Sequence, residues 1–378
     1  MATVRKRELP SGKIVWQAEY RDGAGNRRFK AFSRRKDADD FLLTARGEVR
    51  AGVHVAESQS ITISKAADLW IERAENEKLE ASTIASYRQH RDIHIVPRIG
   101  GIKLSTATVP WVQGFADELA KTLSRAMVKK VLGSLSSIFT EAQRRGVAAQ
   151  NPVSAVKVRM PKREKGRPEM PTMAELRSIL KATPDKYKAL IYTAAFTGLR
   201  ASELRGLQWS DIDLDGGVLH VLRRADPYNK LGVPKSEAGT RTVPIGPVVV
   251  SMLKGWKEKC PKGDLDLVFP NGAGNVESHA NLLNRVFWPL QIEAGVSVKT
   301  GEKDRDGNPV VDAKYSLHAL RHAAAAMWID QGVTAKRIQV LMGHASIQQT
   351  FDRYGYLFEA RDDDSAAAKA IEERLISA

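Results

Sequence analysis

Cysteine is almost missing from this chain: Cys260 is the single thiol in 378 residues. One cysteine cannot build an intramolecular disulfide framework or a cysteine-based zinc cluster, and such scarcity fits a reducing interior. Long hydrophobic runs are missing as well. No apolar stretch approaches the roughly 18 residues that a membrane span requires. The basic opening, MATVRKRELPSGK, is followed by no apolar stretch, so no signal peptide is expected. Internal repeats and low-complexity tracts are also lacking. Hydrophobic residues still make up 43% of the chain, enough for packed cores, and the length allows two or three domains.

Positive charge is in excess. The net charge is +15, and most of that excess sits in the first 170 residues. Such a balance speaks of partners rather than fold, and a polyanion is the natural one. A soluble basic enzyme without such a partner is the plainer reading. The C-terminal half is nearly balanced, so function there must rest on placed residues.

Periodicity divides the chain. In IVWQAEYR (14–21), Ile14, Trp16, Ala18 and Tyr20 alternate onto one face of a half-buried strand. DGAGN reads as a turn and RRFKAF (27–32) as the returning strand. A helix follows, with Ser33 as its candidate N-cap. The strands carry Arg21, Arg27, Arg28 and Lys30, and a ribbon with such a face can enter a DNA groove. Residues 61–150 show helical spacing in four stretches, the second with Ser82 as its candidate cap and the last stopped by Gly146. Arg88, Arg91, Arg125, Lys129 and Lys130 fall on polar faces there. The proline-rich, charged stretch 156–170 reads as a basic linker. A helix starts at Thr172, strands are expected near 217–225 and 241–246, and 297–314 reads as an exposed, turn-rich insert. The expected class is α+β: mainly α with small β-sheets, in several domains spanning 1–57, 60–155 and 171–378.

LHALRHAAAA (317–326) sets His318 and His322 around Arg321. A metal site, a satisfied structural cluster and an oxyanion clamp all compete for it. Together with TGLRASEL (197–204), LMGHAS (341–346) and TFDRYGYL (350–357), in this order, it resembles the tyrosine recombinases, the phage integrases and their relatives. Each motif alone is weak; four in order in a basic chain are specific.

The resemblance implies a site-specific DNA recombinase, the integrase of a phage or mobile element, with no metal and no cofactor. Tyr354 matches the nucleophile that forms a covalent 3′-phosphotyrosine. A phenol has a pKa near 10, so roughly one in a thousand is ionised at neutral pH, and its proton must be removed during attack. Tyr356 is the rival in the same motif, where many relatives carry histidine. Arg200 and Arg321 match the paired arginines, whose planar, permanently charged forks suit phosphate oxygens. His318 matches the position that accepts or relays the tyrosine proton, and His344 the one that hydrogen-bonds the phosphate. Lys235, with Lys230 as alternative, matches the lysine that protonates the leaving 5′-oxygen. Glu203 matches a supporting acid that orients Arg200. Arg205 reads as a surface salt bridge and His322 as a structural hydrogen bond. No HExxH pattern or cysteine partner favours a metal.

The same resemblance gives the domains roles. Residues 1–57 resemble an arm-site-binding domain of three strands and a helix, 60–155 a helical core-binding domain, and 171–378 the catalytic domain. The tail, 362–378, is expected to form an amphipathic helix through Ala367, Ala370, Ile371 and Leu375. Expected partners are double-stranded DNA at core and arm sites, three further copies in a tetramer passing through a Holliday junction, and DNA-bending or directionality proteins. The expected location is cytoplasmic and DNA-associated. A type IB topoisomerase, or a DNA-binding protein with an inactive site, is the alternative.

Overall fold

The computed structural model describes residues 2–161, 168–307, 309–359 and 364–376. Residues 162–167 of the expected linker, and the side chains of Ala367, Ala370 and Leu375, lie outside the described set. The chain divides into two compact units, Met1–Glu164 and Lys165–Ala378. Among the described residues no helix is long and apolar enough to cross a membrane.

The first unit opens with an antiparallel sheet of β1 (Thr3–Glu8), β2 (Ile14–Arg21) and β3 (Arg27–Phe32), in that spatial order. Strand β1 has no apolar alternation, because TVRKRE is dense in charge; it is a strand through pairing, Thr3 with Glu19 and Arg5 with Gln17. Helix α1 (Arg35–Arg50) packs Ala38, Leu42 and Ala45 against Ala18 and Tyr20. It starts later than the sequence suggests: its N-cap is Arg34, without a side-chain bond, so Ser33 caps nothing. The helical part holds α2 (Ile63–Asn76), α3 (Ala81–Gln89), α4 (Val96–Ile99), α5 (Val109–Ala120) and α6 (Arg125–Arg144). Ser82 lies inside α3, whose cap position is Glu80. Between α3 and α4 the helix widens into a π-helical turn, His90–Ile95. Pro97 follows at once; it has no N–H to donate, which relaxes the ladder there. Trp70, Leu119, Val131, Leu135, Ile138 and Phe139 form a core with almost no solvent contact.

The second unit begins with α7 (Met173–Ala182), α8 (Asp185–Thr197) and α9 (Ala201–Gly206). A small antiparallel sheet of β4 (Ile212–Asp213), β5 (Val218–Val221) and β8 (Arg241–Pro244) follows, with β6 (Arg224–Ala225) and β7 (Leu231–Gly232) forming a separate hairpin. Then come α10 (Pro247–Lys257), α11 (His279–Asn281) and, after a second π-helical turn at Leu282–Phe287, α12 (Trp288–Glu293). The stretch read as an exposed, turn-rich insert is largely exposed and holds a hairpin not expected from the sequence, β9 (Ser297–Lys303) and β10 (Pro309–Ala313), with a register shift between Pro309 and Val311. It pairs without an apolar face, which hid it. Helices α13 (His318–Asp330), α14 (Ala335–Met342), α15 (Ile347–Glu359) and α16 (Asp364–Ile376) complete the unit.

Two braces fix the approach to α13. The Gln291 side chain accepts from the Tyr315 N–H at 2.8 Å and donates to the Tyr315 carbonyl at 2.9 Å. Glu175 accepts from Lys314 Nζ at 2.6 Å and from the Tyr315 hydroxyl at 3.0 Å. Burial alone would raise the Glu175 pKa, but Lys314 and the Thr172 donors hold it down to about 2. Glu175 is also half of a capping box with Thr172 at the start of α7.

That box yields a test of local stability. Thr172→Ala should cost about 1 kcal/mol in urea unfolding, and Thr172→Ser should recover most of it.

Candidate active site

Two left-handed glycines set the geometry. Helix α8 ends at Gly198 with φ 60°, which turns the chain so that Arg200 stands at the entrance of α9. Helix α14 ends at Gly343, also at φ 60°, which presents His344. A Cβ on Gly343 would lie 2.8 Å from the Ala238 carbonyl oxygen and 3.0 Å from Arg241 Nη1. Any side chain there is therefore excluded twice, by backbone strain and by crowding.

The two arginines cross-brace these turns. Arg200 donates to the Gly343 carbonyl at 3.0 Å, and Arg321 donates to the Gly198 carbonyl at 2.5 Å and to the Met342 carbonyl. Each guanidinium thus sits at a helix C-terminus, where the free carbonyls carry partial negative charge. Glu203 gathers the cations. It accepts from Arg200 Nη1 at 2.7 Å and from both terminal nitrogens of Arg241, at 3.0 and 2.8 Å. Arg241 also donates to the carbonyls of Leu341 and Gly239. Its role was missed in the sequence: Arg241 opens an ordinary strand, and nothing local says that its side chain reaches α9 and α14. Burial works to raise the Glu203 pKa, yet the hydrogen bonds and charge of Arg241, with Arg200 and Arg321, bring it to about 2. Arg321 is 1% exposed. Burial, then Arg200, pulls it down to about 9, so it stays charged at neutral pH.

Tyr354 is 0% exposed and packs with Ala325, Ile329, Ile338 and Met342. Its hydroxyl lies 2.7 Å from His322 Nδ1, and its ring stacks on that of His344, 12° from parallel at 6.4 Å. Burial pushes the phenol up to about 12. Desolvation, with the cationic arginines, pushes His322 down to about 4 and His344 to about 3, so both rings are neutral. His344 Nδ1 engages Thr350 at 2.9 Å. His344 Nε2 and Arg321 Nε are buried without a hydrogen-bond partner among the described residues. His318 is exposed on α13, with its ring edge-on to His322 at 4.8 Å; desolvation of the packed edge, then His322 and Arg321, lowers its pKa.

Arg200, Glu203, His318, Arg321, His344 and Tyr354 thus converge from α9, α13, α14 and α15. Lys235 stands exposed in the loop after β7, and Lys230 in the turn before it. Tyr356 is half-buried two residues beyond Tyr354 on α15. Arg205 is not a surface salt bridge. It is 4% exposed and donates to the Glu277 carbonyl at 2.6 Å, to the Asp226 carbonyl and to Asn229, pinning the β6–β7 turn. Among the described residues no group of three or more His, Cys, Asp or Glu is placed to hold a metal ion.

The candidate DNA contacts separate. Arg21 and Arg27 lie on one exposed sheet face, with the Arg27 guanidinium 5.2 Å from the centre of the exposed Phe29 ring. Arg28 and Lys30 alternate to the other face, where they pair with Asp22 and Glu57, each at 2.8 Å. The period of two puts them there. Arg88 pairs with Glu75 and Arg91 with Asp68, while Arg125 donates to the Met160 carbonyl at 2.6 Å. Lys129 and Lys130 are exposed on α6.

Comparisons with known proteins agree on one family. The phage integrase family profile matches residues 171–361. The ICEBs1 integrase of Bacillus subtilis is 30% identical over 68% of this chain and 68% of its own length. A XerC-like tyrosine recombinase of Caldanaerobacter subterraneus is 26% identical over 82% of each chain. Among solved structures, the Tn1549 transposon integrase in complex with a circular intermediate DNA superposes with a TM-score of 0.64 at 20% identity, over 84% of this chain and all of that one.

The buried groups predict an acid response. His322 and His344 titrate below the ordinary histidine value of 6.5, so the unfolded chain takes protons first as pH falls. Their contribution is complete above 6.5 and is lost on descent toward about 4 and 3; His90 and His94 act in the same direction. Glu203 and Glu175 add a second loss, from 4.5 down toward about 2. Calorimetry from pH 7 to 3 should show Tm falling below 6.5 and steepening below 4.5; a flat Tm between 7 and 5 would contradict neutral buried histidines. A second test addresses Arg241. Its replacement by Ala should cost about 3 kcal/mol by leaving the buried Glu203 with Arg200 alone, and adding Glu203→Gln should cost less than the two single changes summed.

Proposed function

Because the chain belongs to the phage integrase family of tyrosine recombinases, we propose that it cuts and rejoins double-stranded DNA at paired specific sites for a phage or mobile element. The observation that carries the reading is the pair of unsatisfied buried nitrogens, Arg321 Nε and His344 Nε2, beside a buried phenol. Unpaired buried nitrogens of this kind are costly, and both are donors when His344 Nδ1 accepts from the Thr350 hydroxyl and leaves the proton on Nε2. A phosphodiester offers the oxygens they lack, and the surplus of guanidinium over carboxylate around Glu203 favours an anion.

In this reading Arg200, Arg321 and His344 bind the non-bridging oxygens and stabilise the charge that gathers there during attack. The Tyr354 oxygen bonds to phosphorus as the bond to the 5′-oxygen breaks. His318 helps to carry away the phenol proton, and Lys235 protonates the departing 5′-oxygen. The bond energy is kept in the 3′-phosphotyrosine, so rejoining needs no nucleotide cofactor. Glu203 orients Arg200. Each protomer supplies one tyrosine, and exchanging two duplexes cuts four strands. That arithmetic supports a tetramer passing through a Holliday junction.

The domains take the matching roles. Residues 1–57 bind arm sites through the Arg21 and Arg27 face, and 60–155 bind core sites through Lys129 and Lys130, with 156–170 as a basic linker. Arg88 and Arg91 hold exposed ion pairs that phosphate can replace at little cost. DNA-bending and directionality proteins would assist, and the setting is cytoplasmic and DNA-associated.

The test is covalent trapping. A library of random-sequence duplexes, each with a nick that lets the cleaved strand leave, is incubated with the full chain in EDTA. Mass spectrometry should find a nucleotide on the Tyr354 peptide. Tyr354→Phe should abolish the adduct and Tyr356→Phe should keep it. Arg200→Ala and Arg321→Ala should each slow its formation by roughly 100- to 1,000-fold. An adduct surviving in Tyr354→Phe would overturn the assignment.

A further inference from the structure

A buried phenol cannot hand its proton directly to water. Tyr354 has no exposed surface, and the group at hydrogen-bonding distance from its hydroxyl is His322 Nδ1, at 2.7 Å. His318, which the family pattern points to, stands one helical turn earlier on α13 and faces solvent. The two imidazoles meet edge to face at 4.8 Å, so the three side chains run outward in order: buried hydroxyl, half-buried ring, exposed ring.

We propose that His322 is the immediate acceptor of the Tyr354 proton and passes a proton outward, along the edge of His318, to solvent. The proposal rests on Tyr354 being the nucleophile. The atoms balance on a single imidazole. Nδ1 takes the phenol proton while Nε2, on the half-buried side of the ring, releases its own to water, so the ring ends neutral in the other tautomer and the proton leaves with the solvent. The freed electron pair forms the bond from oxygen to phosphorus, and the bond from phosphorus to the 5′-oxygen breaks. The charged and titratable groups facing the ring are His318 and Arg321 on α13, and Arg353 and Tyr354 on α15.

These neighbours favour a relay over a stored charge. Desolvation, then Arg353 and Arg321, disfavours a lasting imidazolium at His322, down to about 4, and desolvation lowers His318 to about 4 as well, so neither ring stores the proton. A concerted transfer through the ring avoids that state. General bases are judged first by geometry and only then by pKa, and the geometry here is already within reach of the proton.

The same nicked random-duplex library, with excess protein and quenched samples, gives the rate of adduct formation. His322→Ala should be slowed about 100-fold at pH 7. His322→Asn is the sharper variant. Its amide can keep a hydrogen-bonding atom where Nδ1 was but cannot relay a proton, so it should be as slow as His322→Ala. His322→Ala should recover as pH rises from 7 to 9, since the space the ring vacates admits hydroxide to the phenol, while His322→Asn, which keeps that space filled, should recover less; added imidazole should speed His322→Ala about tenfold. Pairing His318→Ala with His322→Ala should add little to the single defect, because both lie on one path. Melting temperature and salt-dependent DNA binding, matched to the unaltered chain, establish that the variants fold. Wild-type speed in His322→Asn would overturn the relay and leave His322 a positioning residue; wild-type speed in His322→Ala would overturn both. No adduct from the unaltered chain, or one surviving in Tyr354→Phe, would instead bring down the reading of the nucleophile on which this rests.

Discussion

The site depends on keeping guanidinium charge inside protein. An isolated ion moved from water into an apolar interior is strongly disfavoured, and Arg321 is 1% exposed. Three things offset that burden. Its terminal nitrogens donate to the carbonyls of Gly198 and Met342, at the ends of α8 and α14. The helix ends contribute partial negative charge at the same place. Glu203, ionised down to about 2, supplies a full one from nearby. The compensation is incomplete, since Arg241 and Arg200 share that single carboxylate. The pocket is therefore built with a positive remainder, which is what an anionic substrate answers.

The same contacts define the backbone. Arg200 on the turn after α8 bonds the turn after α14, and Arg321 on α13 bonds both helix ends. Two glycine turns that would otherwise be independent are locked to each other through side chains. A displacement at either turn would move an arginine, and with it the other turn. This is why the smallest residues in the site, Gly198 and Gly343, constrain its geometry as firmly as the charged ones.

Much of this was legible in sequence, and the rest was not for identifiable reasons. The motifs around Arg200, Arg321, His344 and Tyr354 are local words, and helices with clear periodicity, such as α2 and α6, announce themselves. Partners far apart in sequence do not. Arg241 looks like any strand residue until its fork meets Glu203, and Arg205 looks like surface charge until Glu277 and Asp226 enclose it. His322 falls outside the expected helix face, yet its Nδ1 is the nitrogen that reaches the Tyr354 hydroxyl, because α15 approaches from that side. The β9–β10 hairpin escaped because its pairing is carried by backbone hydrogen bonds in a stretch of charged and turn-forming residues. Ser33 and Ser82 show the opposite error: a capping residue type is present, but the helix starts elsewhere.

The double clamp on Tyr315 has a consequence for how the molecule tolerates change. Gln291 and Glu175 hold that residue on both sides of its backbone and at its hydroxyl, immediately before α13. The hairpin before it packs on α12, the helix that carries Gln291, so the clamp stands between the hairpin and the helix that carries His318 and Arg321. A change of length in the hairpin would reach α13 only through residues that the clamp already holds by four hydrogen bonds.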